Sequence, residues 1–366
     1  MTSSCSEAPA PVDVALLKSW DFADWRSRYG HGWQLPYRMD HLERHGLRLH
    51  WTDALHHPRW QDSNAAAVVR RAEAAGVPFA QAALMAGTMW TSPVTLAMFE
   101  SEANAVAAFR RGLPGRRRSA LAVVTCWLAH LLASADGSRL AGYRWAYESV
   151  DRLYYFSANQ GPVLADRLGI GGDRLRRLAF GVDDETFAPT GEPDGDYVLV
   201  VGRDSGRDWP TLFRALEGVG LAVKVCCRPR DIAGLEVPAG VELLGYVDRD
   251  EYRRLLGAAR VVAIAARPVV YPSGQSVLLE AMAMARTVVA TFTPALQEYL
   301  SDGETCLTVP VGHPSALRER IIEAASDDEL RARVGRAARA AVERSYRAES
   351  MWAAVAADLL ALGRTR

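Results

Sequence analysis

The sequence has few cysteines, and none of their spacings points to a metal or redox site. The five lie at positions 5, 126, 226, 227 and 306, without a C-x-x-C pair. An odd, scattered set is typical of a reducing compartment, so the sequence predicts a cytoplasmic protein without disulfides. The first residues, MTSSCSEAPAP, lack the basic and apolar segments of a signal peptide, which favours the same location.

Net charge and long apolar runs are also missing. The 43 Lys and Arg residues balance 43 Asp and Glu residues, so the sequence gives no reason to expect nucleic acid as a partner. The uncharged segment 74–99 is interrupted by Gly76, Pro78, Gly87 and Pro93. These residues predict strand, loop, strand rather than a membrane helix of about 20 residues. Without a basic amphipathic helix, the chain is not expected to insert stably into a membrane. Its oligomeric state stays open.

What the sequence contains is an alternation of short apolar runs with longer amphipathic ones. This rhythm predicts βα units and parallel sheets covered on both faces. Two sets of strands are expected, at 14–20, 47–53, 121–127 and 152–158, and at 197–203, 221–227, 241–246, 261–266, 287–291 and 306–310. With 366 residues the chain exceeds one ordinary core. The fold class is therefore α/β with two Rossmann-like, doubly wound domains.

A stretch with two Pro and two Gly, residues 187–197, predicts the linker between the domains. The first domain is expected over 1–188 and the second over 189–347. The remaining residues, 348–366, form an amphipathic helix.

The segment YPSGQSVLLEAMA (271–283) places one carboxylate, Glu280, inside an apolar helix that follows a buried strand. Burying a carboxylate costs several kcal/mol unless it is paired or hydrogen-bonded. The two hydroxyls of a ribose would satisfy it, but so would backbone N–H groups or a nearby Arg. Spacing alone leaves these alternatives open.

The start of that helix is a predicted anion site, formed by Ser273, Gly274, Gln275, Ser276 and Val277. The first turn of a helix offers free N–H groups and the positive end of the helix dipole. Glycine lets a ligand approach the backbone closely. In doubly wound sheets ligands bind at this edge, so phosphate is the expected ligand.

Four segments of the second half resemble retaining GT-B glycosyltransferases of family 4 (glycosyl transferases group 1). They are LLEAMA (278–283), AFGVDDETFAP (179–189), VVGR (200–203) and TPALQEYLSDGETCLTVP (293–310). The resemblance covers roughly 145–350. It implies two domains that face each other across a cleft, with the last helix crossing back to the first domain. It also implies that the chain is an enzyme, a hexosyltransferase-like glycosyltransferase.

The resemblance assigns roles to three residues of the second domain. Glu280 would bind the ribose of the nucleotide donor, and Arg203 would contact its diphosphate. Arg207 would replace the family's Lys and hold phosphate as a bidentate fork, although a solvated loop charge is the plainer interpretation of both arginines.

Two positions depart from the family pattern. Pro272 stands eight residues before Glu280, where the family has a Glu that contacts the donor sugar, and Ala285-Arg286-Thr287 replaces Gly-x-Pro. Donor-sugar recognition therefore cannot be copied from the family. Gln275 is the candidate for contacts with the sugar hydroxyls.

The first domain resembles the family only weakly. Gly32, in the loop after the first strand, would lie near the donor phosphates. The family's T-x-H pattern appears as Thr125-Cys126-Trp127, so its catalytic-site His is replaced by Trp127. His130 is the candidate replacement, but its ordinary role is that of a residue at a helix start.

Eight of the ten tryptophans precede residue 150, on the side of the fold that holds the acceptor in such enzymes. Three of them, Trp20, Trp33 and Trp127, are predicted to bind the acceptor by stacking. Glu100 and Glu102 could bind a cationic acceptor, although a solvated loop is the favoured interpretation.

The function expected from these features is transfer of a sugar from a UDP- or GDP-linked donor to a soluble small molecule of specialised metabolism. Retention of the anomeric configuration follows from the resemblance. No metal or cofactor other than the donor is expected, because no D-x-D cluster lies in a site context; Arg203, Arg207 and the helix start would stabilise the leaving diphosphate. The alternatives are a non-catalytic homologue that binds a nucleotide sugar or a partner enzyme, and a GT-B isomerase or phosphorylase acting on sugar phosphates.

Overall fold

Strand pairing is parallel throughout both sheets of the chain, as the alternating pattern predicts. A computed structural model describes residues 10–17, 35–51, 92–112, 119–191 and 195–365. The chain divides into two α/β units, each with one six-stranded sheet. The α/β class predicted from the sequence is confirmed.

The first unit contains the described residues up to Tyr155, Gly161–Arg177 and the chain from Trp352 onward. Its sheet has the order β2-β1-β3-β4-β5-β6. The strands are β1 (Val12–Leu17), β2 (Leu47–Trp51), β3 (Val94–Met98), β4 (Ala120–Val124), β5 (Arg152–Tyr155) and β6 (Leu175–Arg177). The helices are α1 (Glu100–Gly112), α2 (Leu128–Ala133), α3 (Gly137–Tyr147) and α4 (Gln160–Leu168), with a 3-10 segment at Pro36–His45.

The second unit contains Phe156–Gln160 and Leu178–Met351. Its sheet has the order β9-β8-β7-β10-β11-β12. The strands are β7 (Tyr197–Val201), β8 (Ala222–Cys226), β9 (Val241–Leu243), β10 (Val261–Ile264), β11 (Val288–Thr291) and β12 (Leu307–Val309). The helices are α5 (Trp209–Leu216), α6 (Arg249–Gly257), α7 (Gln275–Ala283), α8 (Pro314–Ser326), α9 (Asp328–Ser345) and α10 (Ala348–Arg364).

The strand order of the second sheet reverses between β7 and β10. Numbered within the unit, the order is 3-2-1-4-5-6, that of a Rossmann sheet, whose ligands bind outside the carboxyl ends of the strands at the reversal. In the first sheet the corresponding reversal lies between β1 and β3. These two points locate the expected sites.

Buried β-branched and small apolar residues explain why the central strands form. Strands β3, β4, β10 and β11 are buried along their whole length, because helices cover both faces of a parallel sheet. Asp208, Asp248 and Asp327 fix where α5, α6 and α9 begin, since each carboxylate accepts a hydrogen bond from a first-turn N–H group.

The boundary between the units lies nearer the N-terminus than the predicted linker. Residues 178–188 belong to the second unit, not to the first. The reason is a pair of backbone hydrogen bonds, from Val182 N–H to Tyr346 O and from Ala348 N–H to Val182 O. The Pro- and Gly-rich composition of 187–197 gave no sign of these contacts.

Helix α10 starts in the second unit and belongs to the first from Trp352 onward. The Trp352 indole N–H donates to Tyr37 O at 2.7 Å, and Asp358 accepts from the Tyr154 hydroxyl at 3.2 Å. Arg152 also pairs with Asp358, at 3.3 Å. These bonds fix the C-terminal helix on the first unit.

Candidate functional site

The donor-binding residues predicted in the second domain follow the two strands at the strand-order reversal of the second sheet. Arg203 and Arg207 follow β7, whereas Ser273, Gly274 and Glu280 follow β10. Because β7 and β10 are neighbours, the two loops leave the same edge of the sheet side by side. An antiparallel bridge between Arg207 and Ala266 joins them directly.

Gly274 forms the start of α7 with φ +94°, in the left-handed region that favours glycine. The first helical hydrogen bond runs from Leu278 N–H to Gly274 O, so the N–H groups of Ser276 and Val277 lie ahead of the helical ladder. A Cβ on Gly274 would lie 2.8 Å from Arg207 Nη1 and 2.7 Å from Ile264 Cγ2. The glycine thus leaves room for a guanidinium at the helix start.

Arg207 is buried, with 7% of its surface exposed, so the interpretation as a solvated loop charge is wrong for this residue. Its Nε pairs with Asp204 Oδ2 at 3.0 Å. A Cβ on Gly202 would lie 2.6 Å from that same Nε. Two glycines and one carboxylate therefore fix the guanidinium, with Nη1 directed at the α7 start.

Asp204 connects the two loops. It accepts hydrogen bonds from Ser273 Oγ at 2.6 Å, from the Tyr271 hydroxyl at 3.0 Å and from Gly206 N–H at 2.9 Å. Burial alone would raise the pKa of the carboxyl, but the Arg207 charge and these hydrogen bonds outweigh it and lower the pKa. Asp204 is thus ionised and balances Arg207 when no ligand is bound. No motif in the sequence pointed to Asp204.

Glu280 lies one turn beyond Ser276 on α7 and is only partly exposed. The Tyr252 hydroxyl, on α6, donates to Glu280 Oε2 at 2.6 Å. Burial raises the pKa of Glu280 to about 7, although the Tyr252 hydrogen bond and the Arg249 charge act in the opposite direction. The carboxylate is therefore partly satisfied by the protein itself, through a residue that the sequence analysis did not consider.

The electrostatic surroundings of Glu280 are a salt bridge and a phenol. Asp183 and Arg249 pair at 2.8 Å, and their opposite charges act on Glu280 in opposite directions. Burial, followed by the Glu280 charge, raises the pKa of Tyr252 well above its usual value, so the hydroxyl keeps its proton. The Arg207 charge also acts on Tyr252, which links the Glu280 side of the site to the α7 start.

Arg203 points away from this cluster. Its side chain is exposed, and its guanidinium lies 5.2 Å from the centre of the Tyr246 ring, on the loop after β9. The Arg228 guanidinium donates to Arg203 O and pairs with Asp231 at 2.8 Å. In this arrangement Arg203 does not join Arg207, and the structure instead gathers exposed cationic and aromatic groups beyond β7, β8 and β9.

The remaining predicted donor residues have different surroundings. Ser273 is buried on Asp204, Val277 is buried and Ser276 is exposed. Gln275 is buried, and its Nε2 donates to the Tyr299 hydroxyl at 2.8 Å. Gln275 could contact the hydroxyls of a donor sugar only if this hydrogen bond to Tyr299 broke. Pro272, at the position of the family's first Glu, is also buried.

In the first unit, Trp127 follows β4 and is 37% exposed, while His130 is half-buried on α2. Glu100 is buried, with 6% of its surface exposed, so the interpretation as a solvated loop residue is wrong for it. Three further predicted residues, Gly32, Trp20 and Trp33, lie outside the described residues.

Neither a metal cluster nor a membrane helix is found in the part of the chain that the structure describes. In these ranges no group of three or more His, Cys, Asp or Glu residues is arranged to hold a metal ion. None of the described helices combines the length and the apolar composition needed to span a bilayer.

Residues 222–327 match the family model of glycosyl transferases group 1. This segment runs from β8 to the end of α8 and includes Tyr252 and Glu280. The chain is similar to the group 1 glycosyltransferases and has the GT-B fold. No curated protein is significantly similar to it in sequence.

Solved structures with this fold extend over nearly the whole chain. A sucrose-phosphate synthase from Thermosynechococcus elongatus has a TM-score of 0.70 at 16% identity, over 97% of this chain and 98% of that one. HepE of Anabaena in complex with UDP has a TM-score of 0.64 at 14% identity, over 96% and 100%. The N-terminal domain of trehalose-6-phosphate phosphatase from Candida albicans gives 0.63 at 11%, over 99% and 98%. At such identities the likeness shows the fold alone.

Proposed function

We propose that the protein transfers a sugar from a nucleoside diphosphate donor to a small-molecule acceptor. One observation carries this proposal: the buried Arg207 guanidinium, fixed by Asp204, adjoins Gly274 at the start of α7. A cation and free helix N–H groups at a strand-order reversal form an anion site of the kind that binds a diphosphate.

Glu280 is the proposed binding partner of the nucleoside, next to this anion site. A ribose bound one turn along α7 would donate its two hydroxyls to a carboxylate whose second partner is Tyr252. The group 1 match over this segment supports the assignment, and the UDP complex of HepE favours UDP over GDP as the carrier. Arg203 would reach the diphosphate only by leaving Tyr246.

The proposed reaction retains the anomeric configuration and uses no metal ion or further cofactor. The bond from the anomeric carbon to the diphosphate oxygen breaks, and a bond to the acceptor oxygen or nitrogen forms on the same face. The acceptor's proton passes to the leaving diphosphate oxygen. Arg207 and the α7 start stabilise the negative charge that develops on the diphosphate.

On the acceptor side, Trp127 would stack on the acceptor and His130 would act near the reacting group. The cytoplasm is the proposed location, and neither nucleic acid nor a membrane is a proposed partner.

If His130 takes part in the chemistry, His130→Gln lowers turnover and leaves UDP affinity unchanged. If it is only a helix-start residue, both stay as in the wild type.

A second candidate, binding of a nucleotide sugar without turnover, is favoured by Pro272. This buried residue replaces the family Glu that contacts the donor sugar, and Gln275 is engaged with Tyr299.

The deciding experiment measures UDP release from a panel of UDP-sugars, with small-molecule acceptors and with EDTA present. Sugar-dependent UDP release that EDTA does not inhibit, and that Glu280→Gln reduces, supports the transferase. Glu319→Gln is the matched control, because Glu319 is exposed on α8. UDP-sugar binding without any release supports the second candidate. Phosphate-dependent turnover would instead indicate a phosphorylase.

A further inference from the structure

A second buried carboxylate, Glu100, lies at the carboxyl edge of the first sheet, and the proposed donor site does not use it. Glu100 is the second residue after β3, and β3 lies between β1 and β4. The strand order of the first sheet reverses between β1 and β3, so Glu100 is at the point of this sheet where ligands bind in such folds.

One oxygen of Glu100 fixes the turn between β4 and α2. Glu100 Oε1 accepts from three consecutive backbone N–H groups, those of Cys126 at 2.9 Å, Trp127 at 2.8 Å and Leu128 at 2.7 Å. The Thr125 hydroxyl donates to the same oxygen. The whole turn that carries Trp127 is therefore attached to a side chain some 25 residues earlier in the chain.

The other oxygen, Oε2, is buried and has no hydrogen-bond partner among the described residues. The Thr125 hydroxyl oxygen, within the turn, also accepts from Leu128 N–H at 3.2 Å, so a cap for α2 is available without a distant carboxylate. An unpaired buried carboxylate oxygen is costly, so capping of α2 alone does not account for the choice of Glu at this position.

Trp127 is the exposed part of this arrangement. Its ring meets the Phe99 ring at 5.4 Å and 63°, and Phe99 meets Tyr37 at 5.5 Å and 88°. Phe99 has φ +69° and Tyr37 has φ +56°, values that L residues with large side chains rarely adopt. Backbone strain of this kind clusters at functional sites.

We propose that Glu100 is a positioning residue, which holds the Thr125–Leu128 turn so that Trp127 presents its indole as a platform for the acceptor. The ligand class is a molecule with a flat apolar face, either a sugar ring or an aromatic ring. The identification of this ligand as the acceptor rests on the proposed function, whereas the coupling between Glu100 and Trp127 does not.

The ionisation of Glu100 gives this coupling a measurable signature. Burial raises the pKa of Glu100, although the bonds from Thr125 and from the N–H groups of the turn act to lower it. Protonation removes the charge that attracts four donors, so the environment of Trp127 changes as Glu100 titrates. Among the described residues, titratable groups close to Glu100 and its turn include Tyr147 on α3, Cys126 in the turn and His130 on α2. Burial keeps Tyr147 neutral, because it raises the pKa well above its usual value.

The test is fluorine NMR of the full-length protein labelled with 5-fluorotryptophan. Trp127→Phe assigns the Trp127 signal, and Trp145→Phe assigns a control, because Trp145 is an exposed tryptophan on α3. In the wild type, the Trp127 signal should shift with pH, with a midpoint above the usual range of a Glu. In Glu100→Gln, which keeps His130 and the side-chain shape, that titration should vanish, while the Trp145 signal stays unchanged.

The ligand class is tested in the same samples with 4-nitrophenyl β-glucoside, which joins a sugar ring to an aromatic ring. Millimolar glucoside should shift the Trp127 signal of the wild type and not that of Trp145, and Glu100→Gln should weaken this effect. If the Trp127 signal keeps its titration in Glu100→Gln, Glu100 does not position the turn. If the glucoside does not shift the Trp127 signal, Trp127 is not a binding platform for such a ligand.

Glu100→Ala is the second variant, and circular dichroism reports whether each variant folds. UDP titration of the same proteins separates the two proposals. If UDP does not bind the wild type, the proposed function is wrong. The Trp127 signals alone decide whether Glu100 positions the turn that carries Trp127.

Discussion

Among single residues, Glu280 couples the proposed donor site to pH. Its pKa is about 7 in the folded chain against an ordinary value of 4.5. The folded state therefore holds a proton that the unfolded state has lost between these pH values. The stabilising contribution of the protonated form is fully present below pH 4.5 and is lost as pH rises through 7.

This linkage predicts how Glu280→Gln changes stability. The wild type should lose free energy of unfolding relative to Glu280→Gln between about pH 4.5 and 7, by at most about 3 kcal/mol. Urea denaturation of both proteins across this range measures the difference, and other titrating groups cancel in it. A difference that stays constant or grows in favour of the wild type would show that Glu280 is ionised throughout.

Arg207 is predicted to be irreplaceable by lysine. A lysine cannot pair with Asp204 through one nitrogen and present another to a phosphate at the α7 start. Arg207→Lys should therefore weaken UDP binding at least tenfold, about 1.4 kcal/mol. The control is Arg230→Lys, an exposed arginine after β8. If the Arg207 variant and the wild type bind UDP with equal affinity, Arg207 does not contact the diphosphate.

Local sequence did not reveal the partners of these residues. Asp204 collects donors from Ser273, Tyr271 and Arg207, and two of these lie nearly 70 residues away in the chain. Glu100 was expected in a solvated loop, yet its donors come from Thr125–Leu128. Such pairs form only when parallel strands bring distant loops to one edge of a sheet.

At the scale of elements, the pattern of apolar runs predicted the strands well. Strands buried on both faces are nearly continuous apolar runs, and each of the ten segments expected to be strands overlaps one. The first strand expected within 74–99 lies outside the described residues. Strand β6 was missed, because its three residues, Leu175–Arg177, form a mixed apolar and basic edge strand. The start of α7 was located correctly because Gly274 interrupts two apolar runs.

Gly274→Ala tests the α7 start directly. The added Cβ would meet Arg207 Nη1 and Ile264 Cγ2 at under 3 Å, with the backbone in a conformation that alanine rarely adopts. We expect a loss of roughly 1–3 kcal/mol in the free energy of unfolding together with loss of UDP binding. Gly234→Ala is the matched control, since Gly234 has φ +79° and no atom within 4 Å of an added Cβ.

If Gly274→Ala and Gly234→Ala lose the same stability, and both still bind UDP, the close packing of Arg207 on Gly274 has no role in the site. Chemical denaturation and calorimetry on the three proteins provide both readouts.

At the scale of the whole molecule, the chain returns to its first unit through α10. Trp352, Val355 and Leu359 are buried to at least 99%, and Gly363 leaves room for Val12. Deleting residues 352–366 should destabilise the first unit by several kcal/mol, because large apolar side chains lose their burial. Every described residue of the proposed donor site belongs to the second unit, so UDP binding should persist.

Scanning calorimetry and UDP titration test this deletion, with removal of residues 365 and 366 alone as the control. One unfolding transition should move to lower temperature while the other stays. Loss of UDP binding by a second unit that still unfolds cooperatively would contradict the assignment of the whole donor site to that unit.

The proposed donor site at Glu280 is tested most directly by calorimetric titration of the wild type and Glu280→Gln with UDP, GDP, ADP and TDP. One nucleotide, expected to be UDP, should bind the wild type, and the substitution should weaken this binding at least tenfold, about 1.4 kcal/mol. If no nucleotide binds the folded protein, or if Glu280→Gln changes stability and not affinity, Glu280 is structural and the donor site is not at the α7 start.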